Sequence, residues 1–292
     1  MKDSRPQRNH HSLVVEGGAM RGIFAAGVLD AFVERDFYPF HSAIGVSAGS
    51  TNLIGYLAGN HKRSYRIITD HARRDEFMNI RRYLRGGHFC DVSWLWHCSL
   101  DELPLNIGKF LERDIPLTVV TCSIVTGQAC YFEVDEHNMN DLFPASCAMP
   151  VVFRDFPAID DEPMTDGGLA DSIPVIRAYE QGARDITVIL SQPLGFKKQP
   201  SRFPNLLKPL FSEHPALFDA VTRRTDQYNA ALDFIASPPS DCQVHIIAPP
   251  GNFPVSRFTT DLDSLNMGYN QGVNAGNRYI AEALIRSDAA HA

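Results

Sequence analysis

Five short runs of the chain, 13–15, 42–46, 117–124, 185–191 and 243–248, are dense in β-branched and apolar residues. Runs of this length and composition predict strands buried on both faces, as in a parallel sheet. Between them the apolar positions fall at helical spacing. In 21–35 the small or apolar residues include Ile23, Ala26, Gly27, Leu29, Ala31 and Phe32, with Glu34 and Arg35 near the end. Segments 48–57, 101–113, 172–181, 216–236 and 267–286 are further predicted helices. Strands alternating with helices predict an α/β fold, a three-layer αβα sandwich around a mostly parallel central sheet. The predicted division is a polar arm over 1–12, a main domain over 13–190 and a partly helical C-terminal extension over 191–292, packed on that domain. No internal repeat or low-complexity tract interrupts it.

Composition narrows the function classes. The net charge of −7 gives no global positive field, which argues against nucleic acid as a general partner. Six cysteines are scattered without a C-x-x-C pair, so zinc-ribbon spacing is absent and reduced, structural thiols are expected. The first eleven residues are polar and lack the apolar core of a secretory signal. No run approaches the ~18 apolar residues of a spanning helix. The expectation is a cytoplasmic protein whose membrane contact, if it has one, is peripheral and on the inner face.

Two basic segments stand out. Residues 191–211 hold Lys197, Lys198, Arg202 and Lys208 and no acid, interleaved with Phe196, Phe203, Leu206, Leu207, Leu210 and Phe211 and punctuated by Pro200, Pro204 and Pro209. Residues 61–88 hold eight Lys or Arg against three acids. Each admits two readings: a face that meets anionic lipid, or a solvated helix face and a proline-rich lid packed on the core.

Candidate chemistry begins at Gly45-Val46-Ser47-Ala48-Gly49, between a predicted strand and a small-residue helix. Gly45 and Gly49 leave room for a tight turn that holds the Ser47 hydroxyl at its tip, the form of a nucleophile elbow. The first strand runs into Glu16-Gly17-Gly18-Ala19-Met20-Arg21-Gly22. Small residues there uncover backbone N–H groups at a helix start, where an oxyanion can be held; such donors are worth ~3 kcal/mol each. Arg21 adds positive charge at that rim. The same loop also reads as a plain strand–helix turn or a nucleotide cradle. Ala19 at the second-glycine position, and the lack of an acid ending the second strand, weaken the nucleotide reading. Thr165-Asp166-Gly167-Gly168 offers a base for the serine, or a turn-forming Asx residue. As a base, Asp166 needs its pKa raised from ~3.9 by desolvation, or its proton stabilised after transfer.

Gly17-Gly18-Ala19-Met20-Arg21-Gly22, Gly45-Val46-Ser47-Ala48-Gly49-Ser50, Ala145-Ser146-Cys147-Ala148-Met149-Pro150 and Asp166-Gly167-Gly168 occur in the order found in the patatin-like phospholipase family, which residues 13–181 resemble. The resemblance implies Ser47 as nucleophile, Asp166 as its partner in a Ser-Asp dyad and the first block as oxyanion hole, with donors around Gly18, Ala19 and Met20. The block ending at Pro150 resembles the family's helix and turn between the catalytic halves. Ala19 departs from the pattern, standing where many members have a third glycine, and its Cβ disfavours positive φ. A histidine completing a triad would come from His214, His245 or His291. The function this implies is a serine esterase acting on phospholipid, lysophospholipid or acylglycerol esters, without metal or cofactor; no EF-hand spacing suggests calcium. An idle lipid- or partner-binding module, or an acyltransferase with the same dyad, are the alternatives.

Overall fold

The structure, a computed structural model, describes residues 10–200, 208–209 and 211–291. Eight strands form its sheet: β1 (His11–Val15), β2 (Ser42–Val46), β3 (Leu117–Ser123), β4 (Ala129–Glu133), β5 (Ala158–Ile159), β6 (Glu162–Asp166), β7 (Asp185–Ile189) and β8 (Gln243–Ile247). The five predicted strands are β1, β2, β3, β7 and β8, and they pair in parallel in the order β3-β2-β1-β7-β8. The antiparallel β4 and β6 add to this core on β3, and β5 pairs with β6.

The register around β3 sets two strand ends against each other. A strand has only two edges, and Val119 and Val120 pair with both β2 and β4, while Thr121 and Cys122 pair with both β4 and β6. So β2 and β6 share one edge of β3, and β4 takes the other. On that shared edge Val46 lies opposite Val120 and Asp166 opposite Thr121. The two strands therefore run at each other and stop nearly end to end.

Helices cover both faces, because alternate residues of the buried strands point to opposite sides. Leu13 and Val15 pack with Phe24, Val28 and Phe32 of α1 (Gly22–Glu34) and Leu53 and Leu57 of α2 (Ala48–Leu57). Val14, Ile44 and Val188 face the other layer. Short helices α3 (Arg63–Arg66), α4 (Ile80–Leu84), α5 (Val92–Glu102) and α6 (Ile107–Glu112) follow, then α7 (Met139–Cys147) ahead of β5 and β6. The opposite layer consists of α8 (Val175–Glu180) and α9 (Pro215–Ala236), anchored by Val175, Ala178, Tyr228, Ala231 and Ile235. The last helix, α10 (Leu262–His291), crosses α1 so closely that a Cβ on Gly272 would overlap the Phe24 carbonyl oxygen.

The predicted helix over 101–113 is two helices. Pro104 lies between α5 and α6, and a proline has no N–H to continue the ladder; Asn106 then caps α6 by accepting from Lys109 N. None of the helices among the described residues is long and apolar enough to cross a membrane.

Candidate active site

Ser47 stands at the junction of β2 and α2 with φ 53° and ψ −127°, a backbone conformation that side-chain-bearing residues rarely adopt. The neighbouring glycines permit the turn. A Cβ on Gly45 would sit 2.7 Å from Ser50 Cα, and one on Gly49 would overlap the Val15 carbonyl oxygen. α2 thus starts almost in contact with β1, and its N-terminal dipole favours negative charge near Ser47. The turn is also tied from behind. Ser47 N donates to Ser146 Oγ at 2.9 Å, and that hydroxyl donates to Val120 O at 2.7 Å, joining α7, β2 and β3 through one side chain.

Asp166 ends β6 on the same edge of β3, and its side chain lines the same cleft as Ser47. Its Oδ1 accepts from Gly168 N at 2.7 Å, so the Asx turn read from the sequence is present. Burial raises the Asp166 pKa; the Gly168 amide, Arg224, the Ser47 hydroxyl and Arg257 each pull against that rise. Cys147 also lies beside Ser47. Burial pushes its thiol up to about 12, so it stays protonated at neutral pH and is no competing nucleophile.

The glycine-rich loop lies above this pair. Glu16 N donates to Ile189 O, Met20 N to Arg257 O at 3.4 Å and Arg21 N to Gly18 O, while Gly22 N turns back on the carbonyls of Ala19 and Met20. Among the described residues the amides of Gly17, Gly18 and Ala19 have no acceptor, and these are the donors left for a ligand. Ala19 takes φ 50° despite its Cβ, so the loop keeps the conformation for which a third glycine would be favoured.

Arg21 does not stand at the rim. Its Nε and Nη2 donate to Ser191 Oγ at 3.3 and 3.1 Å, and it is only 8% exposed, because α1 turns the side chain back toward the end of β7. Beside it Glu16, also buried, accepts from Ser191 N at 2.6 Å and from the Tyr228 hydroxyl at 3.0 Å. This network holds the loop from beneath. Glu16 and Ser146 lie within the blocks read from the sequence, but nothing in those blocks marks them as supports.

Ser47 and Asp166 open into an apolar cleft of about 1010 Å³, its mouth included. Met20, Ile67, Ile68, Phe77, Met78, Leu95, Trp96, Phe143 and Phe258 line it, so much of its wall comes from the segment 63–96. That segment's basic residues divide between engaged and exposed positions. Arg63 is buried on Leu103 O and Ser99, Arg74 grips Glu102 with two bonds of 2.7 Å, and Arg82 donates to three carbonyls. Arg81 and Arg85 remain on the surface beside Ile80 and Leu84, which are 57% and 78% exposed. Of the second basic segment, Lys197 pairs with Asp233 at 3.5 Å and Lys198 lies over the Tyr228 ring; Arg202, Phe203, Pro204, Leu206, Leu207 and Leu210 lie outside the described residues.

The candidate histidines are elsewhere. His214 packs edge-on to Phe156, His245 meets Asp185 at 3.1 Å at the start of β7, and the side chain of His291 lies outside the described residues. Among the described residues His71, Cys98 and Glu102 are close enough to share a metal ion, but Arg74 already occupies both oxygens of Glu102.

Known proteins resemble this chain in sequence and in fold. The chain is 29% identical over 274 residues to an uncharacterized protein of Escherichia coli (strain K12), YjjU, covering 92% of this chain and 77% of that one. Its fold resembles the crystal structure of VipD from Legionella pneumophila, with a TM-score of 0.50 and 14% identity over 94% of this chain and 67% of the other. A domain of unknown function, DUF6363, matches residues 214–284, and the pattern of patatin-like phospholipases matches residues 13–179. With more than half its length matched, including Ser47, Asp166 and the loop above them, the chain belongs to the patatin-like phospholipase family.

Proposed function

We propose that the chain is a serine esterase that hydrolyses carboxylic esters of lipids through Ser47 and Asp166. One observation supports this reading: a strained serine and a buried carboxylate line one cavity with the unengaged amides of Gly17, Gly18 and Ala19, where it joins an apolar cleft. Asp166 takes the Ser47 proton as Oγ attacks the acyl carbonyl, and the loop amides hold the oxyanion. The intermediate collapses to an acyl-enzyme, Asp166 returning the proton to the departing alcohol. Water then attacks the acyl-enzyme with Asp166 again as base. The acyl chain lies along the apolar wall. Exposed Ile80 and Leu84 beside Arg81 and Arg85, next to the cleft residues Phe77 and Met78, suit a peripheral contact with an anionic lipid surface.

A fluorophosphonate probe should label the wild type at Ser47, and Ser47→Ala should lose both labelling and turnover of a p-nitrophenyl ester. Asp166→Asn should lower kcat by about 10²–10⁴-fold. Wild-type turnover in Ser47→Ala would refute the reading. Mass spectrometry of lipid products, with Ser47→Ala as control, identifies the ester cleaved.

A further inference from the structure

Two guanidinium groups at the site have no part in the proposed ester hydrolysis. Arg224 is on α9 and Arg257 in the segment between β8 and α10, both beyond the residues matched to the family pattern. Both line a second, smaller cavity of about 270 Å³, walled also by Gly17, Gly18, Ala19, Ser47, Asp166 and Gly168. Among the described residues neither arginine has an ion-pair partner. Arg224 Nε donates to Gly168 O at 2.6 Å, and the rest of its fork is left over.

The local charge is unbalanced. Arg21 and Lys198 add to the two arginines, while Glu16 and Asp166 oppose them. Both carboxylates are engaged elsewhere: Glu16 accepts from Ser191 and Tyr228, and Asp166 from Gly168. The excess is felt at Lys198, pushed down to about 7 by burial and then by repulsion from Arg224 and Arg257. Half-buried guanidiniums without a direct ion-pair partner are costly in the free protein, and their planar forks match phosphate oxygens two at a time.

Ala19, Ser47, Met149, Asp166 and Arg257 line both cavities, which therefore meet at the nucleophile. An ester spanning the junction has its acyl chain on the apolar side and its alcohol half on the cationic side. Resting on the esterase reading, we propose that Arg224 and Arg257 form a subsite for a phosphate carried on the substrate's alcohol half. The preferred substrates are then acyl esters with a small phosphate-bearing alcohol, such as acylglycerol phosphates.

The test compares kcat/KM for an acylglycerol phosphate and for the monoacylglycerol of the same chain length, on the full chain. The wild type should prefer the phosphate substrate. Arg257→Gln should reduce that preference by about 10–100-fold, the range expected when a charge-assisted hydrogen-bonding group is lost. Arg257→Lys and Arg224→Lys should retain part of it, keeping charge without the fork. Glycerol phosphate should inhibit neutral-ester hydrolysis competitively in the wild type, and more weakly in Arg257→Gln. A preference unchanged in Arg257→Gln, with Ser47 still labelled by fluorophosphonate, overturns the subsite and leaves the esterase intact. Equal inhibition by inorganic phosphate without substrate preference assigns the arginines to free phosphate and also overturns the headgroup assignment. If neither substrate turns over and Ser47 is not labelled, the esterase reading fails and the subsite with it.

Discussion

Ala19 and Ser47 both hold positive φ without being glycine, within the two turns that build the site. Each such residue stores about 1–2 kcal/mol of backbone strain. At Ser47 the hydroxyl explains why strain persists, since no glycine can supply it. The strain can be read directly from two inactive proteins. Ser47→Gly should be more stable than Ser47→Ala by about 1 kcal/mol, measured by urea unfolding, because glycine accepts φ 53° freely although its unfolded chain is looser. Equal stabilities would mean that the turn carries no strain. Ala19→Gly should likewise stabilise the fold by an amount on the order of 1 kcal/mol. Arg21 shows the opposite lesson: its sequence position suggests a rim charge, but only the direction in which α1 leaves the loop decides where its guanidinium goes.

At the scale of elements, α1 is held by its crossing with α10, where Gly27, Gly272 and Gly276 bring the two backbones together. Gly272→Ala should destabilise the fold by about 1–3 kcal/mol, the cost of overpacking, while Gly251→Ala, which meets nothing within 4 Å, should have little effect. Thermal unfolding of the two variants decides it. What the sequence reveals of these elements follows from burial. The five parallel strands are legible because both faces are dry, leaving continuous apolar runs. β6 is not, because Glu162-Pro163 begins it and only its last three residues are fully buried. α7 is masked by Pro144 within it, and the cleft wall over 63–96 is made of pieces too short to show a period. Ser47, Asp166 and the loop are legible because their chemistry needs glycine neighbours that mark the turns. Arg224 and Arg257 carry no such mark; each is one basic residue in a polar stretch until α9 and the segment before α10 fold back over the loop.

Over the whole molecule, buried carboxyls tie both rate and stability to pH. Burial raises the Asp166 pKa, so the ionised base disappears on acidification sooner than an ordinary aspartate would. The acid limb of kcat against pH should lie above the usual ~3.9, and a limb at or below that value would contradict it. Asp171, which accepts from the Tyr131 hydroxyl at 2.8 Å, is raised to about 6 by burial. A carboxyl raised on folding favours the native state below its unfolded pKa, and that contribution is lost as pH climbs through the folded one. Asp171→Asn should therefore gain up to about 2 kcal/mol over the wild type at pH 8 and lose that advantage near pH 4, measured by denaturant melts at both values.

β3 lines neither cavity, yet it serves as the ruler of the proposed active site, since Ser47 is measured from Val120 and Asp166 from Thr121 along one edge. Adding one residue between those two positions would part the hydroxyl from the carboxylate by about 3.3 Å and turn the following side chains to the other face. The strand can change its composition, but its length is fixed by a reaction in which it takes no part.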